Sequence, residues 1–128
     1  GKELFYASGC ISCHTPKFAT RKDYEIAALG GELIFPYSDL LLHDMGDGLA
    51  DGRPEADASG SEWRTPPLWG LGYTKTVNGH TFLLHDGRAR DAVEAILWHG
   101  GEAQKSRDAF VQLPKADRDA IVAFLDSL

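Results

Sequence analysis

Methionine is almost missing from this chain: among 128 residues there is one, Met45, and cysteine is scarcely commoner, with only Cys10 and Cys13. A structural zinc site needs four ligands, and no second cysteine pair is present to complete one. Long apolar runs are also lacking. No stretch approaches the roughly 18 apolar residues of a membrane span. Positive charge is in short supply too, with 13 Lys and Arg against 19 Asp and Glu and a net charge of −6. That balance argues against nucleic acid, whose phosphates would repel the chain. It suits solubility, or steering toward a basic partner. There is no internal repeat and no βαβ pattern.

What the sequence does contain is concentrated in five residues, Cys10-Ile11-Ser12-Cys13-His14. The C-x-x-C-H pattern is the attachment site of a c-type haem. Each thiol can add across one haem vinyl group, while His14 reaches the iron through a ring nitrogen as proximal ligand. A thioredoxin-like C-x-x-C would end a strand in a βαβ unit. Here Leu4-Phe5-Tyr6-Ala7 reads as a helical turn instead. A plain disulfide would leave His14 without a role. One haem is expected, since the motif occurs once.

The sixth ligand of that iron is the next question. Met45 lies in the glycine-rich run His43-Asp44-Met45-Gly46-Asp47-Gly48, with no apolar helix face to join. Methionine opposite histidine raises the reduction potential and favours electron transfer. The competing reading of a lone methionine is a core gap-filler. His43 could replace Met45. His85 could bond a propionate or a carbonyl, His99 ends a helix whose dipole would favour its cation, and His80 is expected to be exposed. The run Trp63-Arg64-Thr65-Pro66-Pro67-Leu68-Trp69-Gly70 offers Pro66, Leu68 and Trp69 to a porphyrin face and Arg64 to its carboxylates. The planar guanidinium suits a propionate. Arg53, Arg88 and Arg90 are rivals, and Arg64 could instead pair with Glu62 or Asp57.

The hydrophobic share of 43% permits a core, while fourteen glycines and six prolines imply much loop. The size predicts one domain over 1–128. A short helix is expected over 2–8, and extended loop or short strand over 17–37. A short helix through Leu40, Leu41 and Leu42 would be capped by Ser38 or Asp39. A surface loop should follow to Ser61, then an ordered, buried loop over 63–72. Asn78-Gly79 is expected to turn a β-hairpin within 73–84. Helices should follow from Asp91, from Glu102 to Gln112, and from about Pro114 onward. The last places Ile121, Phe124, Leu125 and Leu128 on one face. The expected class is mainly α, a cytochrome c-like haem domain with long Gly/Pro-rich loops and one small hairpin.

Taken together the segments resemble a family, the bacterial di-haem oxidoreductases, often called thiol oxidoreductases or peroxidase-like proteins. These are related to di-haem cytochrome c peroxidases and methylamine-utilisation enzymes. The resemblance rests on residues 9–16 around the cysteines, on 37–46 (Tyr37-Ser38-Asp39-Leu40-Leu41-Leu42-His43-Asp44-Met45-Gly46), on 62–70, on Leu84-His85-Asp86-Gly87-Arg88-Ala89-Arg90, and on 94–103 with Trp98-His99-Gly100-Gly101-Glu102. It covers most of the chain. It implies thioethers at Cys10 and Cys13, His14 proximal and Met45 distal, in the six-coordinate haem that relays electrons to a second one. The half of such proteins that carries the other haem is not in these residues, so this chain is expected to carry electrons to and from a redox protein partner.

A rival class is a peroxidase-type enzyme with an open or opening sixth site, for which His43 or Glu62 would supply the acid–base group. A haem-based sensor or a structural domain has no feature calling for it. Haem c is attached outside the bacterial cytoplasm, so a periplasmic or exported location is expected, although no signal peptide precedes Gly1. Asp44, Asp47, Asp51 and Asp57 crowd one loop, where calcium is conceivable; without an EF-hand pattern a solvated acidic loop is the expectation.

Overall fold

The computed structural model describes residues 1–128. Five short helices are present: α1 (Lys2–Ala7), α2 (Thr74–Asn78), α3 (Ala92–Trp98), α4 (Gln104–Gln112) and α5 (Lys115–Leu125). Two antiparallel two-stranded sheets join them, β1 (Phe18–Ala19) with β2 (Leu33–Ile34) and β3 (Leu42–Asp44) with β4 (Glu62–Arg64). The mainly α expectation is thereby corrected to a mixed architecture of small helices, small sheets and long turns. Strands of two or three residues are too short to display the alternating pattern by which a strand is read.

The core forms where α1 packs on α5. Phe5, Tyr37, Phe110, Ile121 and Leu125 make one buried cluster, with Phe124 and Leu128 packed against it. The α5 face read from sequence is therefore the face that is used. Each fully buried side chain of this kind stabilises by about 1.5–3 kcal/mol. Asp91 caps α3 by accepting the Glu94 N–H at 2.8 Å, which sets where that helix begins. No helix is long and apolar enough to cross a membrane.

Two expected elements take other forms. Residues 40–42 do not form a helix. Ser38 Oγ accepts the Leu40 N–H at 2.9 Å and donates to the Thr65 carbonyl at 2.7 Å, while Asp39 Oδ1 accepts the Leu41 N–H at 3.0 Å. Such side-chain bonds compete with the helix ladder and turn the backbone instead, so Leu42 enters β3. Nor does Asn78-Gly79 turn a hairpin. Gly79, at φ +77, ends α2, with its N–H on the Lys75 carbonyl. A glycine with positive φ serves a hairpin turn and a helix terminus equally well. The expected loop over 63–72 begins inside β4, and Trp69 is exposed.

Candidate functional site

Gly9, at φ +80, turns the chain out of α1 into a single 3-10 turn over Cys10–Ser12, and the His14 N–H then closes on the Cys10 carbonyl at 2.9 Å. Both cysteines are half-buried and unbridged. Burial pushes the Cys10 thiol up to about 11. Cys13 is raised by burial and by the negative charges of Asp39 and Glu102. Thiols held protonated are slow in disulfide exchange.

His14 is oriented from behind. Its Nδ1 donates to the Tyr37 carbonyl at 2.9 Å, a bond that fixes the tautomer and leaves the lone pair on Nε2. The Phe5 ring packs on the imidazole at 6.2 Å between centroids. Burial holds His14 down to about 4, so the ring is neutral, as a metal ligand must be. Tyr37 itself is buried at φ +53, a conformation costing on the order of 1–3 kcal/mol for a non-glycine residue. The bonds that impose it follow at once, Ser38 N–H to the Thr15 carbonyl at 3.0 Å and Asp39 N–H to the Cys13 carbonyl at 2.8 Å. The 37–39 segment is thus laced to the cysteine turn. It leads directly into residues 40–42, whose three leucines are each more than half exposed.

His43 has both nitrogens engaged. Nε2 meets Asp39 Oδ2 at 2.8 Å and Nδ1 meets Glu102 Oε2 at 2.9 Å. Glu102 and Asp39 hold its cation above the usual imidazole range, against the opposing effect of burial. A ring bonded on both sides has no lone pair to offer, so the structure does not support His43 as an alternative to Met45. Cys13, Asp39 and His43 bring ligating atoms within 4.8 Å of one another, three groups where a tetrahedral site needs four. Sequence reasoning passed over Asp39 and Glu102 here. The spacing of Asp39 and His43 is a weak signal, and Glu102 gave none.

The Met45 loop is held from several directions. The Met45 N–H bonds the Ser61 carbonyl at 2.9 Å, and Gly46 N–H bonds Asp44 Oδ1 at 2.8 Å. Trp63 Nε1 donates to the Leu49 carbonyl at 3.0 Å, while its ring stacks on His85 with centroids 3.5 Å apart and planes 8° from parallel. Arg88 donates to the Gly48 carbonyl at 2.6 Å, pairs with Asp86, and lies over the Trp98 ring at 4.8 Å. On the other side the loop meets Gly100-Gly101 backbone to backbone. A Cβ on Gly101 (φ +51) would strike the Asp44 carbonyl oxygen, and one on Gly46 (φ +76) would lie 3.0 Å from the Gly101 nitrogen. No side chain fits between. Met45 is half-buried.

The remaining candidates are dispersed. Arg88 and Arg90 are committed to Asp86 and Glu94. Arg64 is exposed and makes only a long contact, 3.4 Å, to the Thr65 carbonyl; neither Glu62 nor Asp57 pairs with it. Leu68 packs against the core cluster, Pro66 is exposed, and Trp69 is 53% exposed. His80 stacks on Phe82 in the open. His99 corrects an expectation: it is not a cationic helix end. Burial lowers its basicity, and its Nδ1 donates to the Ala95 carbonyl at 2.7 Å. In the acidic loop, Asp44 and Asp51 each accept an N–H of their own turn.

One comparison with known proteins bears on this geometry. The whole chain, residues 1–128, matches the family model described as "Di-haem oxidoreductase, putative peroxidase". The chain is a member of the di-haem oxidoreductase family. No curated protein and no solved structure matches it. Membership implies a haem cofactor and a redox role. This di-haem oxidoreductase chain carries one C-x-x-C-H. The residues present fit such a group: two free thiols on one turn, a neutral imidazole with Nδ1 fixed and Nε2 free, and exposed leucines on the segment hydrogen-bonded to that turn.

Proposed function

We propose that this chain is a single-haem c-type domain that transfers electrons one at a time, with Cys10 and Cys13 as thioether anchors and His14 and Met45 as axial ligands. One observation carries the reading, the His14 Nδ1 bond to the Tyr37 carbonyl beside two free thiols. It orients the ring for coordination through Nε2, while burial keeps the imidazole neutral. Bound there, the haem supplies a centre that gains and loses one electron. The protein's own part is to keep both ligands in place in both oxidation states. Tyr37 does this for His14. Trp63, Arg88 and the Gly100-Gly101 backbone do it for the loop that bears Met45. The exposed leucines of residues 40–42 would exclude water from a bound porphyrin, and Arg64, without a carboxylate partner, would be free for a propionate.

The acidic surface fits a basic redox protein as partner, recruited by steering that weakens as salt rises. Covalent haem attachment, where it holds, supports a periplasmic or exported location. The family's description favours a second reading, peroxide turnover at an open sixth site. The groups that would serve it are poorly poised. His43 is locked between two carboxylates, and the Ser59 N–H keeps Glu62 below the usual carboxylate range, which makes it a poor acid.

An absorption spectrum of the ferric, haem-loaded protein tests the choice, together with Met45→Ala. A methionine-to-iron charge-transfer band, lost in the variant, establishes Met45 as ligand and electron transfer as the activity. A high-spin wild-type spectrum with peroxide turnover would replace this reading with the enzymatic one.

A further inference from the structure

Five histidines are present, and two of them are prepared alike. His14 and His99 each donate Nδ1 to a backbone carbonyl, Tyr37 at 2.9 Å and Ala95 at 2.7 Å. Each is half-buried and held neutral by burial. In each, Nε2 has no protein partner, and neither nitrogen is sealed from its surroundings, since no buried side-chain nitrogen or oxygen is left unsatisfied. The other three differ. His43 is bonded at both nitrogens, and His80 and His85 are exposed and stacked on aromatic rings.

His99 also lies beside the loop that bears Met45. It ends α3, and the next residue backs onto the Met45 loop: a Cβ on Gly100 would lie 2.9 Å from the Met45 carbonyl oxygen. A carbonyl bond at Nδ1 is the arrangement that fixes the tautomer of a ligating imidazole and strengthens its Nε2 as a donor.

We propose that His99 Nε2 is an internal ligand for the sixth position of the iron held by His14, taking that position whenever the Met45 sulfur is off it. The inference rests on the haem reading above. It gives the chain two low-spin forms, one with methionine and one with a second imidazole. Methionine opposite histidine raises the potential, so the imidazole form is the lower-potential one. In both, the sixth site is closed to peroxide, and loosening the Met45 loop alone does not open it.

The test uses the ferric, haem-loaded chain as wild type, Met45→Ala, His99→Ala and the double variant, read by spin state and by cyanide titration. The expected result is that Met45→Ala loses the methionine band yet stays low-spin, while the double variant becomes high-spin. An internal ligand weakens an external one in proportion to the fraction of sites it leaves open, so the double variant should bind cyanide at least about tenfold more tightly than Met45→Ala. His99→Met in the Met45→Ala background should restore a methionine band, which a misfolded variant would not do. A high-spin Met45→Ala whose cyanide affinity is unmoved by adding His99→Ala overturns the proposal and leaves Met45 standing. A wild type without the methionine band that turns high-spin on His99→Ala removes Met45 instead and makes His99 the resting ligand. Four low-spin spectra with equal cyanide affinities overturn both.

Discussion

The two sides of this site are held by different forces. On the His14 side the imidazole rests on the core: Phe5 packs on it, and Tyr37, whose carbonyl orients it, belongs to the same buried cluster as Ile121 and Leu125. On the Met45 side the support is polar and partly solvated: Trp63 and Arg88 holding two carbonyls, and His43 and Glu102 securing the end of β3. Hydrophobic packing is cooperative and scales with the whole fold, whereas single hydrogen bonds near solvent contribute about 0.5–1.5 kcal/mol each. One side should therefore fail only when the protein unfolds. The other should open locally.

The largest effect is expected on the packed side. Phe5→Ala removes a ring that meets His14, Tyr37 and Phe124, and should cost about 3–5 kcal/mol, typical of such truncations. Denaturant unfolding measures it. The loss should be global, moving amide exchange in α5 and the Met45 loop together.

Arg88→Gln is the contrasting case. It removes an ion pair with Asp86, a cation over Trp98 and a bond to the Gly48 carbonyl. Charged hydrogen bonds contribute about 1.5–3 kcal/mol, and a cation over an aromatic face about 0.5–1. Here the change should appear as faster amide exchange over residues 45–49 and a weaker methionine–iron band, with the denaturant midpoint nearly unmoved. If Arg88→Gln lowered global stability as much as Phe5→Ala, the contrast between the two sides would be wrong.

The same contrast explains what was legible in the sequence. Cys10, Cys13 and His14 declare themselves because attachment chemistry is local, and α5 does so because Ile121 and Leu125 repeat on its face. The carbonyl that orients His14 is a backbone atom of Tyr37 and leaves no mark in residue type. Glu102 reaches His43 and the Asp44 N–H from nearly sixty residues away, and no spacing rule spans that distance. The triple leucine after Asp39 reads as a helix only until Ser38 and Asp39 are seen bonding the N–H groups such a helix would use. Met45 stood out by rarity, while His99, at the end of a readable helix, looked like a charged terminus. Its burial depends on tertiary packing.

The smallest effect concerns the ion pairs of His43, and its sign can be worked out. The folded imidazole titrates above its ordinary 6.5, so the stability it contributes is fully present below that value and is lost as pH rises through the raised one. Hydrogen bonds from His43 and from the Asp44 N–H hold Glu102 below its ordinary 4.5; its contribution is present above 4.5 and is lost as pH falls through the lowered value. The pair therefore acts between those two windows. Because the Glu102 side chain is 56% exposed, solvent and salt screen the interaction. Glu102→Gln keeps an oxygen for the Asp44 N–H and removes the charge. In low salt, the thermal midpoints of wild type and variant should separate between pH 4.5 and the raised His43 value and converge above it. A separation that persists on the alkaline side would mean that Glu102 acts by packing and not by charge, and would narrow the difference between the two sides of the site.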